Sequence, residues 1–397
     1  MPVAFCLLLY LCHSIYLRKY LHWFLKAQQI EQVPLLEVDV TQAHTLQAAL
    51  WTTMAELSEQ NDAQKVCLVL EGIGVGALRT IVDDFVVLKT QSRLMNNLPE
   101  LERFAISVVG KGAGPAIVIE TQERMKSADP TTESEFDELK VTASMKSFVD
   151  RLVVGQGLCP YTKSSVKVPE GLQELNILPG PIGYRYSGFS EVCHIMSAFW
   201  NCVCELISLP GESLSTVILT MPALTGSTTK ADDSEPSGHD RFVAVSELIS
   251  RNLCLFRGDD VLEVLHFYPN YDRDLIEPKD KPAHGHLPPT SWLRPMLRHA
   301  GHDDEAANFS NNDDIILSSN FQRRSPFPAV VITRVSYFEA LAGSSNEIVD
   351  LTLDDRSMVK ASGVPSYAQN VIKLAVEGPE KLQEALQSEI ASGIGCQ

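Results

Sequence analysis

The chain has 397 residues, 45% of them hydrophobic and 21% charged, so it is too long for one ordinary core and too apolar to be disordered throughout. Its 50 acidic residues against 33 basic give a formal net charge of -17, a field that repels phosphate backbones and argues against a nucleic-acid partner. The 9 cysteines, odd in number and without a CxxC pair, point to free thiols rather than a disulfide framework.

Residues 1–30 form a hydrophobic leader. Val3 to Leu17 is nearly all apolar and is followed by Arg18, Lys19 and Lys26. The run is roughly 15 residues, short of the roughly 20 that a spanning helix needs. It also lacks the basic flank and the small-residue cleavage site of a secretory signal. A membrane tether through residues 3–17 with its basic side in the cytosol, a targeting segment and a short buried helix all fit this pattern. The expected location follows the leader: membrane-associated or organellar if it is genuine, cytoplasmic otherwise.

Residues 31–125 alternate strand-like and helix-like runs: Leu35 to Val40, Thr45 to Ser58, Val66 to Leu70, Leu78 to Met95, Phe104 to Val109 and Ala116 to Ile119. Strands separated by helices predict a small, largely parallel α/β domain. Residues 126–142, rich in acids, read as a solvated linker. A second domain over 143–378 opens with a helix, Ser144 to Val154, which Gly155-Gln156-Gly157 closes because glycine accepts the left-handed conformation. A Pro- and Gly-rich stretch to Gly188 follows. Next come a helix from Glu191 to Leu209, a strand from Ser215 to Met221, an exposed loop from Thr225 to His239 and a helix from Phe242 to Leu253. Strands are expected at Val261 to Phe267 and Ala329 to Val335, with a disordered polar insertion, 272–322, between them. Residues 379–397 read as a C-terminal tail. The fold class is α/β, two small α/β domains with long polar loop insertions, and nothing in the sequence sets the oligomeric state.

Gly72-Ile73-Gly74-Val75-Gly76-Ala77 satisfies a dinucleotide-binding glycine spacing, but the next strand ends in Gly110-Lys111-Gly112 where such a site needs an acid. A structural turn is the better reading. Val69 to Ala77 and Ile106 to Ala116 also faintly resemble the two oxyanion-hole turns of the crotonase superfamily, over about a quarter of the chain, without its Ala-Gly-Asp. Cys202-x-Cys204 lies in an apolar run and suits a buried helix. His284-x-His286 and His299-x-x-His302 match no closed zinc pattern. No Walker loop, Gly-x-Ser-x-Gly elbow or His-Glu-x-x-His helix occurs, and no metal or cofactor is expected.

Three short blocks are more specific: Gly155-Gln156-Gly157-Leu158-Cys159-Pro160-Tyr161, Phe267-Tyr268-Pro269-Asn270-Tyr271, and Arg324-Ser325-Pro326-Phe327-Pro328 leading to Arg334. In this order they resemble an uncharacterised, mainly bacterial family, domain of unknown function 1415, over about residues 144–376. The resemblance implies a shared fold and carries no activity. Where the family has histidines this chain has Tyr268 and Val331, with His266 nearby, and Arg323 replaces an asparagine. The family's histidine chemistry therefore does not transfer.

Cys159 sits before a proline that fixes an extended backbone, and arginines nearby would favour its thiolate. The candidate site is thus Cys159 as nucleophile or redox thiol, with His266 or Tyr268 as proton donor or acceptor. Arg324 and Arg334 are expected to form an anion clamp, and Tyr271 to bind the substrate with them. The same residues also suit a plain core, with Cys159 packed under the sheet and Arg324 capping carbonyls. The two functions in view are an enzyme acting on a small anionic ligand and a non-catalytic binding or scaffold protein.

Overall fold

A computed structural model describes residues 35–39, 43–60, 62–71, 76, 78–79, 82–83, 97–111, 114–122, 136–159, 180–225, 237–255, 258–273, 287–308, 313–336, 348–361 and 363–395. The leader, the Gly72–Ala77 turn apart from Gly76, most of the 78–95 helix and His284 and His286 lie outside these residues. The chain divides into two compact units, 1–95 with 99–129, and 130–397 with 96–98. Among the described residues, no helix is long and apolar enough to cross a membrane.

In the first unit the sheet order is β1-β2-β4-β3. Strand β1 (Leu35–Asp39) runs parallel to β2 (Lys65–Glu71), and helix α1 (Ala43–Ser58) lies between them in sequence. Leu46, Leu50, Trp51 and Met54 recur at helical spacing and are fully buried. The other two pairings, β2 with β4 (Gly114–Thr121) and β3 (Phe104–Lys111) with β4, are antiparallel. This corrects the expectation of a largely parallel sheet. Only two residues separate β3 from β4, enough for a hairpin but far too few for a parallel crossover.

The second unit begins earlier than its sequence suggests. Helix α2 spans Glu138–Phe148, and Asp137, expected in the linker, caps it by accepting from the Leu139 and Lys140 amides at 2.8 and 3.3 Å. The helix then widens into a π-helical turn over Val149–Val154, with the Gly155 amide bonded to the Asp150 carbonyl and the Leu158 amide to that of Val153. Gly157, at φ +59°, reverses the chain as its residue type predicts.

The central sheet has the order β5-β6-β8-β7. Strand β5 (Ile182–Tyr186), unforeseen in the Pro- and Gly-rich stretch, runs parallel to β6 (Thr216–Thr220) through the crossover helix α3 (Val192–Ser208). Helix α4 (Gly238–Leu255) leads to β7 (Leu262–Phe267), and β8 (Ala329–Arg334) runs antiparallel to both β6 and β7. Strands β5, β6 and β7 therefore share one direction, and their carboxyl ends lie along one edge of the sheet.

Register separates the faces. Val217, Leu219, Val264, His266, Val330 and Ile332 point to one side. Ile218, Phe267, Ala329 and Val331 point to the other, where they pack on Val141, Met145, Phe148, Leu374, Leu382 and Leu386.

Two stretches are more ordered than their polarity suggests. The insertion expected to be disordered over 272–322 contains helices α5 (Thr290–His299), α6 (Asp303–Asn308) and α7 (Asp313–Ser319). Leu293, Leu297, Ala306 and Ile315 form a small core there with Ala368 and Val371. Strands β9 (Val349–Thr352) and β10 (Met358–Ala361) form a separate hairpin. They are followed by α8 (Val364–Glu377) and, in place of a tail, α9 (Pro379–Ile394), whose Leu382 and Leu386 belong to the main core. Only Gly378, at φ +85°, separates these last two helices.

Candidate functional site

The second and third sequence blocks meet at the carboxyl edge of the sheet. The chain leaving β7 turns at Tyr268, whose amide donates to the Arg323 carbonyl at 3.1 Å, joining it to the chain entering β8. Tyr271 is 2% exposed and accepts the Leu287 amide on its hydroxyl at 3.0 Å. Burial raises its phenol pKa, and the nearby Arg323 and Arg273 charges act against that shift.

Arg324 is half-buried and held from three sides. Its Nε donates to the Tyr271 carbonyl at 3.1 Å, its Nη1 donates to Gln383 Oε1 on α9 at 3.1 Å, and its guanidinium lies 4.7 Å from the centre of the Phe321 ring. Burial pulls its pKa below the ordinary arginine value, and the charge of Asp272 acts in the opposite direction. Arg323 is 9% exposed and stacks on Phe267 at 5.2 Å.

The block that carries Cys159 is anchored on α8, the helix that precedes α9. Asn370 Nδ2 of α8 donates to the Leu158 carbonyl at 2.8 Å and Lys373 Nζ donates to that of Gly157 at 3.0 Å. Cys159 is half-buried, and Leu158 packs in the same cluster as Phe321, Leu374 and Leu382. Consecutive helices thus hold the two groups, α8 the Cys159 turn and α9 Arg324.

Three of the expected site residues lie elsewhere. His266 is 3% exposed on the α4 face of the sheet, with Nε2 3.3 Å from Ser250 Oγ, a hydroxyl that itself donates to the Ser246 carbonyl. Tyr268 points to that same side, donating to the Thr225 carbonyl at 3.1 Å and packing on Phe242 and His239. Arg334 ends β8 at the opposite edge, where Nη2 caps α3 through the Leu206 and Leu209 carbonyls. Six strand residues place it roughly 20 Å from Arg324, too far for the two to clamp one small anion.

Burial first, then the charge of Asp240, pushes the Tyr268 phenol up to about 12. Its raised pKa means that the fold favours the protonated form. The stabilisation is complete below the ordinary value of 10.0 and is lost as pH rises from there to about 12. Alkaline denaturation of Tyr268→Phe is therefore expected to be less steep than that of the parent chain across this window, with the two curves parallel below it. Parallel curves throughout would show that the phenol is not held neutral.

The remaining candidates resolve by placement. Cys202, 4% exposed on α3, is a packed thiol that burial pushes up to about 12. The amino terminus of α3 is filled by its own cap, Glu191, whose Oε2 accepts from the Cys193 and His194 amides, so it offers no anion cradle. Among the described residues, no three His, Cys, Asp or Glu side chains come together to hold a metal.

Sequence reasoning missed several partners of this site. Arg273, 4% exposed, donates to Asn320 Oδ1, the Pro288 carbonyl and Ser319 Oγ at 3.1, 2.9 and 2.8 Å, tying the end of β7 to the helical insertion. Its position directly after the second block was the available signal. Gln383, Asn370 and Lys373 stand in helices that carry no motif, and their spacing alone announces nothing. Comparison with protein-family models, curated proteins and solved structures finds no match to the chain.

Proposed function

We propose that the second unit binds a small anionic molecule at Arg324, and that Cys159, on the turn held by α8, is the thiol that reacts with it. The observation that carries this reading is that Arg324, at the carboxyl edge of the sheet, is held in place without a bonded carboxylate. Arg151, Arg185, Arg251 and Arg294 each meet a carboxylate, from Glu389, Glu205, Glu247 and Asp354. Arg324 is oriented just as firmly but makes no ion pair with any described residue. A half-buried guanidinium with no carboxylate bonded to it, and only the charge of Asp272 acting from beyond ion-pairing distance, is left partly uncompensated, and a bound anion would relieve it.

Position supports the same reading. In α/β sheets ligands gather outside the carboxyl ends of the parallel strands, where Arg324 and Tyr271 stand. Lys373 brings a second cation to within two residues of Cys159, and cations favour thiolates. His266, Tyr268 and Arg334 have no part in this proposal.

The test is protection of the thiol. Iodoacetamide labelling of Cys159, followed by mass spectrometry, is expected to slow when at least one of propionate and inorganic phosphate is added to the intact chain, and to be indifferent to both in Arg324→Gln. Labelling of the parent chain that neither anion slows would overturn the shared site. A Cys159 that labels only after unfolding would leave a binding module without a reactive thiol.

A further inference from the structure

We infer that the group taken by Arg324 is a single carboxylate held end-on, and not a phosphate; this rests on Arg324 being the anion site. A guanidinium has two edges that can donate a pair of parallel hydrogen bonds, one formed by Nε with Nη2 and one by Nη1 with Nη2. The single hydrogen of Nε is spent on the Tyr271 carbonyl at 3.1 Å, which closes the first edge. Nη1 gives one hydrogen to Gln383 Oε1 and keeps the other, while Nη2 makes no hydrogen bond to a described residue. With the first edge closed, the end-on edge is the one that can still donate a parallel pair, Gln383 being taken on the Nη1 hydrogen that points away from it. Its two N–H groups match the two oxygens of a planar carboxylate, and Phe321 covers a face of the guanidinium, directing the ligand into its plane.

The local charge favours the same class. Asp272 is near enough to act on Arg324 through its charge without pairing with it. A phosphate monoester near neutral pH carries about -1.5 to -2, more than one guanidinium balances, and is repelled by the Asp272 charge more strongly than a single carboxylate is. A carboxylate carries one negative charge, which the free edge neutralises. Gln383 is the positioning residue: by accepting from Nη1 it fixes the rotation of the guanidinium plane.

The experiment compares two probes on the full chain at equal ionic strength, propionate by saturation-transfer NMR and inorganic phosphate by phosphorus line width. Propionate is expected to bind, and Arg324→Lys to weaken it by about tenfold or more, because lysine keeps the charge but lacks the fork. Gln383→Glu, which places a competing carboxylate on the same guanidinium, is expected to abolish propionate binding and serves if Arg324→Lys does not fold. Phosphate binding that depends on Arg324, with propionate silent, would overturn the carboxylate assignment and leave the anion site standing. Neither probe responding to Arg324 would overturn both.

Discussion

A chain ending at Gly378 is expected to leave its second unit unfolded, with the circular-dichroism melt losing its cooperative transition. Helix α9 supplies Leu382 and Leu386, 0% and 1% exposed, to the core formed with α2 and the sheet. Burying two such side chains is worth about 3–6 kcal/mol. The truncation also removes Glu389, which pairs with Arg151 through two bonds at 2.8 and 3.0 Å and whose carbonyl accepts from Ser144 Oγ at 2.7 Å. The Arg151 side of that pair is part-exposed and the truncation opens it to water, so its loss adds only about 1 kcal/mol. Their sum reaches the lower part of the stability of an ordinary domain, about 5–15 kcal/mol. A truncated chain that melts within a few degrees of the full one would show that α9 is an appendage.

Arg273→Ala is expected to lower stability by about 3–5 kcal/mol, read as a shift in the urea midpoint with the slope unchanged. The guanidinium is 4% exposed and bonds to three acceptors on two segments, Pro288 on one side and Ser319 and Asn320 on the other. Its loss leaves those buried acceptors facing a cavity. Hydrogen exchange should show the loss concentrated in α5 and α7, because Arg273 is what ties them to the end of β7. A midpoint shift worth less than about 1 kcal/mol would mean that the insertion holds itself in place.

Much of the fold was legible because its elements carry their own signals. The α1 stripe, the alternation along β7 and the glycine at φ +59° each report a local rule. What escaped was decided by distant partners. Polar α5, α6 and α7 look like loop because their apolar positions are few, and they become ordered by meeting Ala368 and Val371, more than 50 residues later. The helix α9 looks like a tail for the same reason.

The site divided along the same line. Adjacency in motif does bring Tyr271 and Arg324 together, since both blocks flank neighbouring antiparallel strands. It failed for His266 and Arg334, whose strand positions send them to the α3 and α4 face, and Arg334 to the far edge as well. Which face a strand residue takes depends on register, and a single sequence does not reveal register where both faces are buried.

The most direct measurement of the central claim is the ratio of alkylation rates at Cys159 by iodoacetate and by iodoacetamide, reagents of the same size and leaving group that differ in charge. Cys254 is exposed beside Asp259 and serves as the control within each sample. In an acidic chain of net charge -17 the anionic reagent should be slower at Cys254. At Cys159 it should be the faster one, and Arg324→Gln should reverse that preference. A ratio at Cys159 that follows Cys254 and ignores Arg324 would contradict a shared anion and thiol site.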